Sequence, residues 1–186
     1  LSTGTASGKS LCYQIPILDN LLSDSVSTAL LLFPTKALTQ DQRRSLVGFI
    51  PEKAVEIAIY DGDTPAYQRA AIRSHARVIL TNPDMLHVGI LPHHAGWSRF
   101  LQNLRFIVLD ETHVYRGIFG SHISNVLRRL SRILTRYTSS IQSARYILCS
   151  ATLSNAKLLA EKLIGENVVA FSEDASGNGR CEIQFI

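Results

Sequence analysis

Gly8-Lys9-Ser10 close the glycine- and serine-rich opening stretch LSTGTASGKS, and an apolar-periodic segment comes directly after it. Backbone N–H groups of such a turn, with the positive end of the following helix, can wrap a polyphosphate. Lys9 would set a cation between the outer two phosphates, and Ser10 would offer its hydroxyl to a magnesium ion. The usual GxxxxGK[ST] template asks for glycine at position 3, where this chain has Thr3, with Gly4 one place later and Ala6 where a second glycine is common. Thr3, Gly4, Thr5, Ala6, Ser7, Gly8, Lys9 and Ser10 together form the candidate cradle. The plain alternative is an ordinary helix start with Ser7 or Ser10 as its cap.

A second constellation lies a hundred residues on, where FIVLDETH puts Asp110 and Glu111 at the end of an apolar run. Hydrolysis of a nucleoside triphosphate needs one carboxylate to hold magnesium, usually through water, and another to orient or deprotonate the attacking water. Asp110 suits the first task and Glu111 the second. Alone, the pair could simply open a loop; paired with the cradle it points to an ATPase.

These groups need a scaffold, and the chain supplies one. TALLLF (28–33), VEIAIY (55–60), RVILT (77–81), RFIVLD (105–110) and RYILCS (145–150) read as strands, mostly continuous rather than alternating, as expected when both faces are covered. Amphipathic stretches at 36–48, 83–89 and 121–137 lie between them, and a final helix over about 155–164 ends at Gly165. Pro16 is expected to bend the first helix or end its first stretch. Alternating strand and helix predicts an α/β fold, a doubly wound and mainly parallel sheet. Ligands of such sheets sit beyond the carboxyl ends of the strands. Polar clusters fall at four of those ends: DGDTP (61–65), NPD (82–84), DETH (110–113) and SAT (150–152).

Composition narrows the class. The 186 residues fit one domain, and 46% hydrophobic with 18% charged residues argues for an ordinary globular chain. A formal charge of +4 suits a phosphate-rich partner met locally. Cys12, Cys149 and Cys181 are odd in number and widely spaced. Two lie in apolar runs, where buried thiols are expected, so a disulfide framework is not indicated and a reducing compartment is favoured. His93-His94 has no carboxylate or cysteine at ligand spacing and reads as a loop pair. No apolar run approaches the ~18 residues of a membrane span. Arg128, Arg129, Arg132 and Arg136, at helical spacing, read as a solvated face or a contact with a neighbouring domain.

Five segments in order carry a resemblance: TGTASGKS, PTKALTQDQ (34–42), TNPDML (81–86), DETH and SAT. They resemble motifs I, Ia, Ib, II and III of superfamily 2 helicases of the DExH-box type, in the first RecA-like domain. The stretch 91–133 is similar to the RecQ-related branch of DNA-repair helicases that often carries a cysteine-rich zinc-binding domain at its far C-terminus. The resemblance implies an ATP-dependent DNA helicase or translocase using ATP and Mg2+, with RNA as the alternative polymer. It places the protein in the nucleoid-bearing cytoplasm or the nucleus, with no membrane association. It implies nucleic-acid contacts at Pro34, Thr35, Lys36, Thr81 and Asn82, with Gly62 and Asp63 on the same surface. It implies coupling roles for His113, Ser150, Ala151 and Thr152. Residues 1–171 would be the domain, lacking its first strand, and 172–186 a linker or the start of a further segment. A second RecA-like domain of the parent chain would complete the ATP site with arginines. Departures at Thr3 and Ala6 leave room for one non-enzymatic reading, a degenerate P-loop module that binds without turnover.

Overall fold

The computed structural model describes residues 8–49, 55–137, 144–151 and 155–171. Its centre is a five-stranded parallel sheet of order β2-β3-β1-β4-β5, built from β1 (Thr28–Leu32), β2 (Ile57–Ile59), β3 (Val78–Thr81), β4 (Leu104–Leu109) and β5 (Arg145–Leu148). All five expected strands are present; β4 begins and ends one residue earlier than expected, and the others are shorter by one to three residues. β1 and β3 are buried along their whole length, which explains their uninterrupted apolar sequences.

Helices cover both faces. On one, α1 (Lys9–Ser23) and α2 (Lys36–Phe49) bury Tyr13, Ile17, Leu21 and Leu46 against Leu31, Phe33, Val78, Leu80 and Val108. The opposite face carries α3 (Ala66–His75), α4 (Pro83–Met85), α5 (Ser98–Gln102), α6 (Gly117–Leu134) and α7 (Ala156–Ile164). There α6 buries the stripe Ile123, Val126, Leu127, Leu130, Ile133 and Leu134. Burying each such side chain contributes about 1.5–3 kcal/mol.

Three expectations need correction. Pro16 does not end α1, which runs unbroken through it. The carbonyl it leaves without a donor belongs to Cys12, on an exposed residue where water can serve it. Cys12 is therefore not a buried thiol, whereas Cys149 is. The stretch 83–89 is not one regular helix: α4 gives way to a π-helical turn at Leu86–Ile90 and a 3-10 segment at Leu91–Trp97. At the other end of the chain Gly165, at φ 77°, caps α7 as expected and donates its N–H to Glu161 O at 2.8 Å.

Candidate functional site

Register decides which residues meet. Leu32 of β1 lies beside Thr81 of β3 and Leu109 of β4, and Leu109 lies beside Leu148 of β5. The carboxyl ends of these strands therefore share one edge, and the residues just beyond them become neighbours. Asp110 is tied in by its N–H, which donates to Leu32 O at 3.1 Å.

The cradle's described part is Gly8-Lys9-Ser10; Thr3, Gly4, Thr5, Ala6 and Ser7 lie outside the described residues. Gly8 is the N-cap of α1 at φ 73°, a conformation that favours glycine, and no side chain caps this helix. Neither serine is therefore the described cap. Lys9 Nζ donates to Ser150 O at 3.3 Å, joining the start of α1 to the end of β5.

Asp110 is 8% exposed, and each of its carboxylate oxygens meets one protein group. Oδ1 accepts from Glu111 N–H at 2.8 Å, and Oδ2 lies 3.1 Å from the Tyr13 hydroxyl. Burial holds this carboxyl above its ordinary range, with the Glu111 charge adding to the effect. Hydrogen bonds from Glu111 and Tyr13 and the charge of Lys9 oppose it. Tyr13 is itself raised, first by burial and then by the charge of Asp110.

Glu111 turns the chain out of the strand at φ 50°, ψ 42°, the only non-glycine residue with positive φ among those described. A left-handed glutamate costs about 1–2 kcal/mol, strain typical of a residue held for its side chain's position. Its Oε2 lies 3.1 Å from His113 Nδ1, which in turn lies 3.4 Å from Ala151 N. A protonated Nδ1 donates to Glu111; an unprotonated one accepts from Ala151. Thr112 adds two bonds to Cys149 O, from its N–H at 2.8 Å and its hydroxyl at 3.0 Å. Segments 110–113 and 149–151 are thus laced together. Cys149 between them is inert, its thiol pushed up to about 12 by burial. Ser150 Oγ is buried with no hydrogen-bond partner among the described residues, and Thr152 lies outside them.

The remaining candidates line the same edge farther along. Thr35 is exposed and its hydroxyl accepts from Leu38 N at 3.3 Å at the start of α2. Pro34 before it is half-buried. Lys36 Nζ reaches Asp63 Oδ2 at 2.5 Å, bridging the ends of β1 and β2 beside exposed Gly62. Thr81 is 1% exposed and donates its hydroxyl to Tyr60 O at 2.5 Å, while Asn82 Oδ1 caps α4 by accepting from Met85 N at 2.7 Å. These two side chains serve the fold in this arrangement, and Thr35, Lys36, Gly62 and Asp63 present the open surface. Arg128 and Arg132 are exposed on α6, Arg136 is exposed just beyond its end, and Arg129 is half-buried.

Reading the sequence did not single out Tyr13, Gln14 or Gln42. Gln42 Oε1 lies 2.8 Å from the Tyr13 hydroxyl and 2.9 Å from Gln14 Nε2, and Ser45 Oγ lies 3.3 Å from Gln14 Oε1. The signal was a Tyr-Gln pair on the apolar face of the helix after the cradle, both residues fully buried. Buried polar groups at that position need partners, and the partners sit on α2.

The donor set fits a magnesium-bound nucleoside triphosphate. A positive-φ glycine opens a helix, a lysine and a serine come next, a held carboxylate stands at the next strand end, and a buried hydroxyl has its capacity free. Magnesium asks for few protein ligands when phosphates and water supply the rest. No group of three His, Cys, Asp or Glu side chains suited to a metal occurs among the described residues.

Fold and site together define a RecA-like nucleotide-binding domain. Residues 1–159 match the model of the DEAD/DEAH box helicase family, and the chain belongs to that family. It is 45% identical over 98% of its length to the uncharacterized ATP-dependent helicase YprA of Bacillus subtilis, covering 24% of that protein. It is 46% identical over 96% of its length to the ATP-dependent helicase HRQ1 of Saccharomyces cerevisiae, covering 17% of it. The crystal structure of the DUF1998 helicase MrfA bound to DNA and AMPPNP matches with TM-score 0.87 at 45% identity, over 95% of this chain and 24% of that one. The chain therefore spans a quarter or less of the length of these relatives.

Proposed function

We propose that this chain is the ATP-binding motor domain of a DNA helicase or translocase, coupling ATP hydrolysis to movement along the strand. The observation that carries the reading is the bond from Lys9 Nζ to Ser150 O beside Asp110, which draws the three segments expected to handle phosphate, metal and coupling to one edge. ATP supplies the phosphoanhydride bond and magnesium neutralises charge on its outer phosphates. Backbone N–H groups from Thr3 to Gly8 would cradle the phosphates, with Lys9 as their cation. Ser10 and Asp110 would hold magnesium. Glu111 would orient the attacking water and accept its proton on a carboxylate oxygen. His113, Ser150, Ala151 and Thr152 would transmit the nucleotide state to the nucleic-acid surface formed by Pro34, Thr35, Lys36, Gly62 and Asp63. Thr81 and Asn82, expected there too, have their side-chain oxygens engaged with Tyr60 O and Met85 N. Contacts on that surface would be with backbone phosphates, which position a strand without reading its sequence.

The domain is proposed to span 1–171, with 172–186 a linker or the start of a further segment. Membership of the RecQ-related branch, with a zinc-binding domain at the far C-terminus, is proposed from the stretch 91–133. DNA is the proposed polymer because relatives at 45% identity include a helicase crystallised on DNA. Strand displacement on tailed duplexes tests this. The full-length protein carrying this chain is expected to separate DNA strands with ATP, and separation of RNA duplexes alone would contradict it.

A further inference from the structure

Tyr13 stands between two acceptors with one proton to give. Its hydroxyl lies 2.8 Å from Gln42 Oε1 on α2 and 3.1 Å from Asp110 Oδ2 at the end of β4. A phenol donates once, so it cannot serve both. Behind Gln42 the chain of polar groups continues to Gln14 at 2.9 Å and Ser45 at 3.3 Å. Tyr13 and Gln14 are wholly buried, so water does not repair a mismatch there.

Two proton arrangements satisfy these atoms. In the first, Ser45 donates to the Gln14 carbonyl, Gln14 donates to Gln42, and Tyr13 donates to Gln42. Asp110 Oδ2 then faces a phenol lone pair. In the second, both amides are turned by half a revolution, since amide oxygen and nitrogen fill nearly the same space. Gln14 now donates to Ser45, and Gln42 donates both to Gln14 and to the Tyr13 oxygen. The phenol proton turns to Asp110, whose other oxygen is already held by Glu111 N–H at 2.8 Å. Only the second arrangement gives each carboxylate oxygen a donor.

We infer that Tyr13 is a positioning residue for the Asp110 carboxylate, and that Gln42 competes for its proton, tying the metal-binding carboxylate to helix α2. The inference rests on the reading of Asp110 as the magnesium carboxylate. It adds a control on that carboxylate from the helix that begins at Lys36, next to the proposed nucleic-acid surface. A carboxylate held through both oxygens is fixed in one orientation and kept charged. A carboxylate facing a lone pair keeps only the hold of Glu111 N–H on its other oxygen and is less fit to meet a cation.

The experiment is a magnesium titration of AMPPNP binding to the full-length protein, read by equilibrium binding, so that no turnover is required. Tyr13→Phe removes the donor and is expected to raise the magnesium concentration at half-saturation about tenfold, the scale of one hydrogen bond to a charged group. Gln42→Leu removes the competitor, leaves the phenol proton to Asp110, and is expected to shift half-saturation the opposite way. The double variant should match Tyr13→Phe, because without the phenol nothing remains to compete for. Far-UV circular dichroism and melting confirm that each variant is folded. Should Tyr13→Phe not fold, the sign of the Gln42→Leu shift carries the test alone. An unchanged magnesium requirement in folded Tyr13→Phe, a rise in Gln42→Leu, or independent multiplication of the two effects would overturn the inference. Absence of magnesium-dependent AMPPNP binding in the unsubstituted protein would instead overturn the reading of the site, and the inference with it.

Discussion

Asp110 is held at a cost, and that cost can be measured. Burial keeps its carboxyl above the ordinary 3.8, so the folded chain holds this proton to higher pH than the unfolded chain does. Stability from this group is complete below the unfolded value and is withdrawn as pH rises through the folded one. Asp110→Asn carries no such titration; its amide oxygen can still accept from Glu111 N–H, while its amide nitrogen donates to the Tyr13 hydroxyl. The nucleotide-free variant is expected to melt at a higher temperature than the unsubstituted protein at neutral pH, with the gap closing below about pH 4. A lower melting temperature at neutral pH would contradict the assignment of Asp110 as a group held against its own stability. Asp110 and Glu111 were legible in the sequence because an acidic pair at the end of an apolar run is conspicuous. Tyr13 and Gln42 were not, because a polar residue on a buried helix face shows its partner only once the helices are packed. Thr81 was legible as a strand-end hydroxyl, but its commitment to Tyr60 O depended on the pairing of β2 with β3.

Elements position these residues through close backbone approaches, and two glycines of the same kind differ in what they guard. A Cβ on Gly120 would lie 2.5 Å from Tyr115 O, so the obstacle is main chain in the turn beyond Asp110 and Glu111. A Cβ on Gly89 would overlap Met85 Cε, the far end of a flexible side chain. Gly120→Ala is expected to cost about 1–3 kcal/mol of stability, and Gly89→Ala less, since the thioether can swing aside. Melting of the two variants side by side checks this, and an equal or larger loss at Gly89 would contradict it. The strands were readable from apolar runs covered on both sides. Helix α3 was not singled out, since Ile72 is its one buried residue and leaves almost no periodic signal. The segment 83–89 misled because its apolar spacing looks helical, while Gly89 and the nearby Pro92 interrupt regular α-helical packing and hydrogen bonding.

At the scale of the whole molecule, the sheet separates two cores and gathers the chemistry at one edge. The architecture was legible because polar clusters recur where continuous apolar runs end, and parallel strands bring all such ends together. The register that puts Lys9 beside Ser150 was not, for no local pattern encodes the order β2-β3-β1-β4-β5. The proposed site is half of an interface, to be closed by arginines from a second RecA-like domain. Losing such an arginine can cost ~10³ or more in rate. The 186-residue chain by itself is therefore expected to show negligible ATP turnover with or without DNA, and DNA-stimulated turnover by the chain alone would contradict that half-site picture.

The most direct test is steady-state ATP turnover by the full-length protein with no polymer, single-stranded DNA, duplex DNA or RNA, beside Glu111→Gln. DNA is expected to stimulate turnover strongly, and Glu111→Gln to lower it about 10²–10⁴-fold while magnesium-dependent nucleotide binding survives. Tight binding of magnesium and ATP with no turnover on any polymer, or turnover indifferent to Glu111→Gln, would contradict the account.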